Sequence, residues 1–229
     1  MQEGEGTVSA SVLSLLAALV ALAFAFDVTR RAWAKRRPSD VLFAVSLYMF
    51  SLAAFGEFVG GSLGWSVGLY KLYYFTAVAL VAYMAAGTLY ARSSGWAAHA
   101  FLVFTLLASV AFFAVLLSAP VDPALVGTKG AVGGGYMPRE VRMFSPVLSG
   151  IGALVLVVSA LANFLRTRRW GFLAIFSAAL VLSAAGALAK YVDFPVVLPV
   201  SQLAGIALYY WGVVSLSVSG EDRPEKERV

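Results

Sequence analysis

GLYKLYYFTAVAL, residues 68–80, sets one lysine, Lys71, inside a run that otherwise has the composition of a membrane-spanning helix. Reading this run as a span makes the bilayer the solvent of the whole chain, and the composition agrees. Of 229 residues, 61% are hydrophobic and 13% charged, with a mean hydropathy of +0.85, too little polar surface to coat a water-soluble globule. Crossing a bilayer takes roughly 20 apolar residues in a helix, and unpaired backbone groups in lipid restrict spans to helices or closed barrels.

Seven apolar runs have helical length, at 8–29, 41–59, 65–91, 97–117, 144–165, 170–191 and 195–218. The sequence therefore predicts an all-α polytopic membrane protein with seven transmembrane helices. The start MQEGEGTVSASVLSLL is acidic and lacks the basic region of a secretory signal, so its apolar run reads as a retained first span. Twelve of the 17 basic residues, among them Arg30, Arg31, Lys35, Arg36, Arg37, Arg92, Arg166, Arg168 and Arg169, fall at one set of helix ends. Basic residues in short loops stay on the cytoplasmic side, which predicts the N-terminus outside, the C-terminus inside and a bacterial or archaeal cytoplasmic membrane. The net charge of +5 then reflects topology and contact with anionic lipid, and nothing in the pattern supports a nucleic-acid partner.

An internal repeat is legible. VLSLLAALV at 12–20 matches VLSGIGALV at 147–155 at six of nine positions; Ser46, Ala53 and Ala54 align with Ser177, Ala184 and Ala185; and Leu72-Tyr73-Tyr74 aligns with Leu208-Tyr209-Tyr210, which puts Ala207 opposite Lys71. The expected organisation is one transmembrane domain built as a 3+1+3 parallel tandem repeat. Its parts are a first three-helix unit at 8–91, a linker helix at 97–117, an extracellular loop at 118–143, a second three-helix unit at 144–218 and a disordered cytoplasmic tail at 219–229. The loop holds too many glycines and prolines for a span, and it is a lid or a plain solvated connection.

Charges and polar groups inside spans mark sites, because each is costly in lipid unless paired or hydrated. Two roles are open to Lys71. It can snorkel and pair with Glu57, the only carboxylate of the second run past its basic start, or it can bind a ligand in an outer cavity with Glu57 setting its charge state. Lys190 and Asp193 form a second charged cluster, which with Glu57 would flank one entrance. Gln202 follows Pro195 and Pro199, whose missing N–H groups free backbone carbonyls. The aromatics Tyr73, Tyr74, Tyr209, Tyr210 and Trp211 recur in both repeats and can flank a solute or pack the halves together. The expected ligand-binding set is thus Lys71, Glu57, Lys190, Tyr74, Gln202 and Tyr209, while Asp27 and Asn163, equivalent in the repeat, are candidates for an inner gate. Trp65, Trp96 and Trp170 suit an interfacial aromatic belt, and Gly56 with Gly60 forms a GxxxG motif for close helix approach.

Several chemistries find no residues. The chain has no cysteine and a single histidine, His99, so a metal centre is not expected, and no phosphate loop, nucleophile elbow or dinucleotide fingerprint is present. A retinal Schiff base in the seventh run would need a lysine where Ala207 stands. No enzyme activity and no cofactor are expected.

The passage KRRPSDVLFAVSLYMFSLAAFGEFVGG followed by YKLYYFTAVALVAYMAAGTLYARSS resembles the membrane-embedded sensory region found in front of some bacterial histidine kinases. That resemblance covers the first three runs and implies a signal-binding cavity around Glu57 and Lys71. No kinase, cyclase or phosphatase sequence follows Val218, so a sensor would act through a partner chain. The 3+1+3 arrangement is similar to that of the SWEET sugar transporters and the PnuC-type vitamin carriers, which implies a small polar or anionic solute bound between the halves. Carrier and sensor are the two functional expectations, with the lipid bilayer, a small-molecule solute and a homo-oligomer or signalling chain as partners.

Overall fold

A computed structural model describes residues 2–92, 95–130, 132–188 and 197–218. Eight α-helices are present among them: α1 (Gln2–Lys35), α2 (Pro38–Leu63), α3 (Val67–Arg92), α4 (Trp96–Ser118), the single-turn α5 (Arg139–Arg142), α6 (Ile151–Thr167), α7 (Trp170–Leu188) and α8 (Val197–Val218). No strand occurs among the described residues. Six helical segments are long and apolar enough to cross a membrane, Ala10–Lys35, Pro38–Leu63, Val67–Arg92, Trp96–Ser118, Arg139–Thr167 and Val197–Ser217, and the chain is an integral membrane protein. The expected span at 170–191 is helical and apolar over Trp170–Leu188, and residues past Leu188 lie outside those described.

Local chemistry sets the helix ends. Arg36, at φ 48, takes the left-handed conformation that stops α1, and Pro38 opens α2 where its missing N–H costs nothing. The helix α1 runs on past the expected end of the first run at Thr29, so Arg30, Arg31 and Lys35 lie on its last turns. Gly64, at φ 97, ends α2 by returning its N–H to the Gly60 carbonyl.

Packing follows small residues. On α1, Ala17, Ala18, Ala21, Ala25, Val28 and Ala32 are buried at helical spacing, and the Ser51 hydroxyl of α2 donates to the Ala18 carbonyl at 2.8 Å. Glycines allow equally close approach elsewhere: a Cβ at Gly152 of α6 would fall 2.8 Å from the Ala82 nitrogen of α3, and one at Gly212 of α8 would fall 2.7 Å from the Gly171 carbonyl of α7. Each helix of the sequence α1, α2, α3, α6, α7, α8 packs on the next, and α8 returns to α1, closing a six-membered ring. Helix α4 lies outside the ring against α3 and turns Leu107, 67% exposed, and Val110, 69% exposed, to the surroundings.

The connection between α4 and α6 folds over one end of the ring, the loop end. Trp65 anchors it. The Trp65 backbone exchanges hydrogen bonds with Gly127 and Thr128, its indole N–H donates to the Gly130 carbonyl at 2.9 Å, and Tyr70 donates to the Gly133 carbonyl at 2.6 Å. Trp65 is consequently 1% exposed and does not join an interfacial belt, whereas Trp96 and Trp170 are 85% and 65% exposed as such a belt requires. The GxxxG pair serves this anchor: a Cβ on Gly60 would overlap the Trp65 ring, and one on Gly56 would meet Tyr73 at 3.2 Å. The opposite, basic end carries Lys35 and Arg37, which both donate to the Ser217 carbonyl.

Gly212→Ala is expected to lower stability by roughly 1–3 kcal/mol, because the added methyl meets backbone that cannot move aside. Gly68→Ala, where a Cβ meets nothing within 4 Å, is expected to leave stability unchanged or raised. Thermal unfolding of the detergent-purified variants compares the two.

Candidate functional site

A cavity of about 520 Å³ lies towards the loop end of the ring, bordered by α2, α3, α6, α7 and α8. Periodicity aims the lining inward: Phe50, Ala53, Ala54 and Glu57 share one face of α2, Tyr73, Ala77, Leu80, Val81 and Met84 share one face of α3, and Leu198 and Gln202 are one turn apart on α8. Ala153 and Leu156 of α6 and Ala179, Leu182 and Ser183 of α7 complete the wall, and Val132 and Gly133 of the loop form the roof.

Glu57 is the one carboxylate of this lining, which holds no lysine, arginine or histidine, and three donor contacts converge on it. The Gln202 amide donates to both carboxylate oxygens, at 3.0 and 3.3 Å, and the Tyr73 hydroxyl donates to Oε1 at 3.2 Å. Tyr73 also reaches the Val132 carbonyl at 3.5 Å, which ties the acid to the roof. With its amide nitrogen so engaged, the Gln202 Oε1 is a buried acceptor without a partner. The cavity therefore offers a solute acceptors at one end and an apolar body elsewhere, which suits a ligand that brings its own hydrogen-bond donors.

A second cavity, of about 620 Å³, opens at the basic end and is lined by Arg37, Asp40, Phe43, Tyr90, Phe172 and Leu216 among others. One layer separates the two. Along α2, Phe43 borders the second cavity and Phe50 the first, seven residues or about 10 Å apart. Between them Ser46 and Leu47 are fully buried, Ser46 lies 3.3 Å from the Tyr209 hydroxyl, and Tyr209 meets Phe43 edge to face at 5.9 Å. Ile175 and Val213 fill the rest of this layer without exposure, and Gly87 of α3 leaves room for the Phe43 ring, which a Cβ would approach to 2.6 Å.

The expected site residues divide. Glu57 and Gln202 meet in the first cavity, whereas Tyr209 lines neither cavity and stands against Ser46 and Phe43 in the layer between them. Lys71 does not pair with Glu57; its ammonium donates to the Leu117 carbonyl at the end of α4, at 2.9 Å. Two residues along a helix is a rotation of about 200°, so with Tyr73 turned to Glu57, Lys71 faces the other way. Tyr74 packs against Phe112 at a 6.0 Å centroid distance and contributes nothing to the cavity wall. Asp27 accepts from Arg31 and from Tyr210, both at 2.8 Å, on the edge where α1 meets α8. Asn163, 2% exposed and with Nδ2 unpartnered, lines a separate groove beside Leu89 and Ala98, so the two polar positions do not form one gate. Lys190 and Asp193 lie outside the described residues. The register that set Tyr73 on Tyr209 does not hold in depth either, because Tyr73 stands beside Glu57 and Tyr209 beside Ser46, eleven residues or about 16 Å apart along α2.

Sequence reasoning named Tyr73 among the aromatics that could flank a solute but left it out of the ligand set, although it shares a helix face with Ala77, Leu80 and Met84, a spacing visible in the sequence. No family model and no curated protein matches this chain.

Removing one partner from the carboxylate cluster should cost more than removing both. Gln202→Leu is expected to destabilise the protein by roughly 1–3 kcal/mol, and the double variant Gln202→Leu with Glu57→Leu to recover part of that loss, as a double-mutant thermal-unfolding cycle would read.

Proposed function

We propose that this chain is a carrier for a small, mainly apolar solute that presents hydrogen-bond donors, bound between the two halves of the ring at Glu57 and Gln202. The observation that carries the reading is the pair of cavities set one above the other within the ring and divided by a single layer at Phe43, Ser46 and Tyr209. An alternating carrier needs a site reachable from either face and a thin barrier that can change sides. The ring order supports a duplicated origin, since α1, α2 and α3 are followed round the ring by α6, α7 and α8, with α4 left outside as a linker. In this reading 170–191 is the seventh span, the loop end is outside, and the basic end faces the cytoplasm of a bacterial or archaeal cell. The reading narrows the solute. An anion is disfavoured beside Glu57 with no cation in the same lining, so the polar half of the expectation is kept and the anionic half set aside.

Stopped-flow light scattering of proteoliposomes tests it with a series of small hydroxyl and amide solutes and carboxylates of matching size. At least one donor-bearing solute should enter saturably faster than in protein-free liposomes, and Glu57→Leu should abolish the gain. If no solute enters faster, the carrier reading fails. A solute that stabilises the protein without crossing would then favour a membrane-embedded sensor acting through a partner chain.

A further inference from the structure

The basic-end cavity has a chemistry that the carrier reading does not use. Three arginines reach it from three separate parts of the chain: Arg37 in the turn into α2, Arg92 at the end of α3, and Arg169 in the turn before α7. The hydroxyls of Thr167 and Ser217 border it, and Phe43, Tyr90, Phe172 and Leu216 give it apolar walls. Asp40 is the single carboxylate of the lining, leaving positive charge in excess. Asp40 lies near enough to attract Arg37 but forms no close ion pair with it: Oδ1 accepts from Ser39 at 3.5 Å and from Ser217 at 3.3 Å, and Oδ2 is buried without a partner. Arg31 pairs with Asp27 elsewhere at this end of the ring, and among the described residues no carboxylate lies within 4.0 Å of Arg37, Arg92 or Arg169. Arg37 instead donates to the Ser217 carbonyl at 3.4 Å.

Three arginines lining one walled cavity differ from basic residues spread over a membrane face. Each presents a planar fork of donors that matches two oxygens of an oxyanion, and apolar walls weaken the competition from water. A cavity of about 620 Å³ is large enough for a phosphate with a small organic substituent. We propose that the basic-end cavity is a phosphate-binding site, held by Arg37, Arg92 and Arg169. The phosphate comes from a soluble phosphorylated small molecule entering along the ring axis, or from a phospholipid headgroup of the adjoining leaflet, and both bring the same oxyanion to the same arginines. The site stands apart from the Glu57 cavity and does not depend on the carrier reading.

Thermal unfolding of the full chain tests the proposal with inorganic phosphate and glycerol 3-phosphate in detergent, each against chloride at equal ionic strength. A second arm uses nanodiscs of phosphatidylglycerol against phosphatidylcholine. Arg92→Gln and Arg169→Gln, at exposed and half-buried positions, are compared with Arg30→Gln, which removes the same charge from the outside of α1. Stabilisation by the soluble phosphates, with a half-saturating concentration raised roughly tenfold or more in the cavity variants and unchanged in Arg30→Gln, supports a soluble ligand. Stabilisation by phosphatidylglycerol alone, with the same dependence on the variants, supports a headgroup. No stabilisation by any phosphate, or stabilisation that Arg30→Gln weakens as much as Arg92→Gln and Arg169→Gln do, overturns the site.

Discussion

A carboxylate inside a ring of apolar helices must be held by donors from the protein or be left at severe cost, and Glu57 is held by Gln202 and Tyr73. That constraint organises the site. Gln202 belongs to α8 and Glu57 to α2, which otherwise touch sparingly, so the bond spans the ring between its first and last thirds. Tyr73 extends the connection to the roof through the Val132 carbonyl. A solute that competes for Gln202 or Tyr73 would loosen α8 and the roof together, coupling occupancy to the shape of the ring.

The roof depends on a second local arrangement. The connection between α4 and α6 keeps its place because Trp65 is buried beneath it, with Gly60 leaving room for the indole ring and Gly130 accepting from its N–H. Tyr70 adds the Gly133 carbonyl to the same anchorage. Glycine and proline content excluded a span for this segment correctly, yet hydrogen bonds to α3 and its preceding turn make it an ordered cover. At the far end the three cavity arginines lie on helix termini and turns, where their charge is tolerable beside a membrane.

The helical architecture was legible because lipid leaves the backbone few choices: the runs at 41–59 and 97–117 fall inside α2 and α4, and the run at 65–91 lies in α3 but for its first two residues. Glu57 and Gln202 were legible as polar residues in apolar helices. Their direct contact was not, since nothing local joins residues 145 positions apart. Lys71 misled for a geometric reason. It is near Glu57 in depth but on the wrong face of α3, a distinction that depends on which side of the helix meets α2. Matching tyrosine pairs suggested a register between α3 and α8 that depth does not follow, because a shared Leu-Tyr-Tyr triplet arises readily in apolar sequence. Trp65 was assigned to a lipid interface from its place at a helix end, and the folded loop that buries it could not be read from composition.

In the carrier proposed above, the Glu57 cavity would be reached from both membrane faces through movement of the layer at Tyr209. The chain has no cysteine, so Ala179→Cys places a single thiol in the wall of that cavity. Its rate of modification by a membrane-impermeant thiol reagent, added in turn to each side of sealed vesicles, is the most direct measurement. The account predicts modification from both sides, with faster access from the basic end when Tyr209→Ala is added. Modification from one side only, unchanged by Tyr209→Ala, would contradict it.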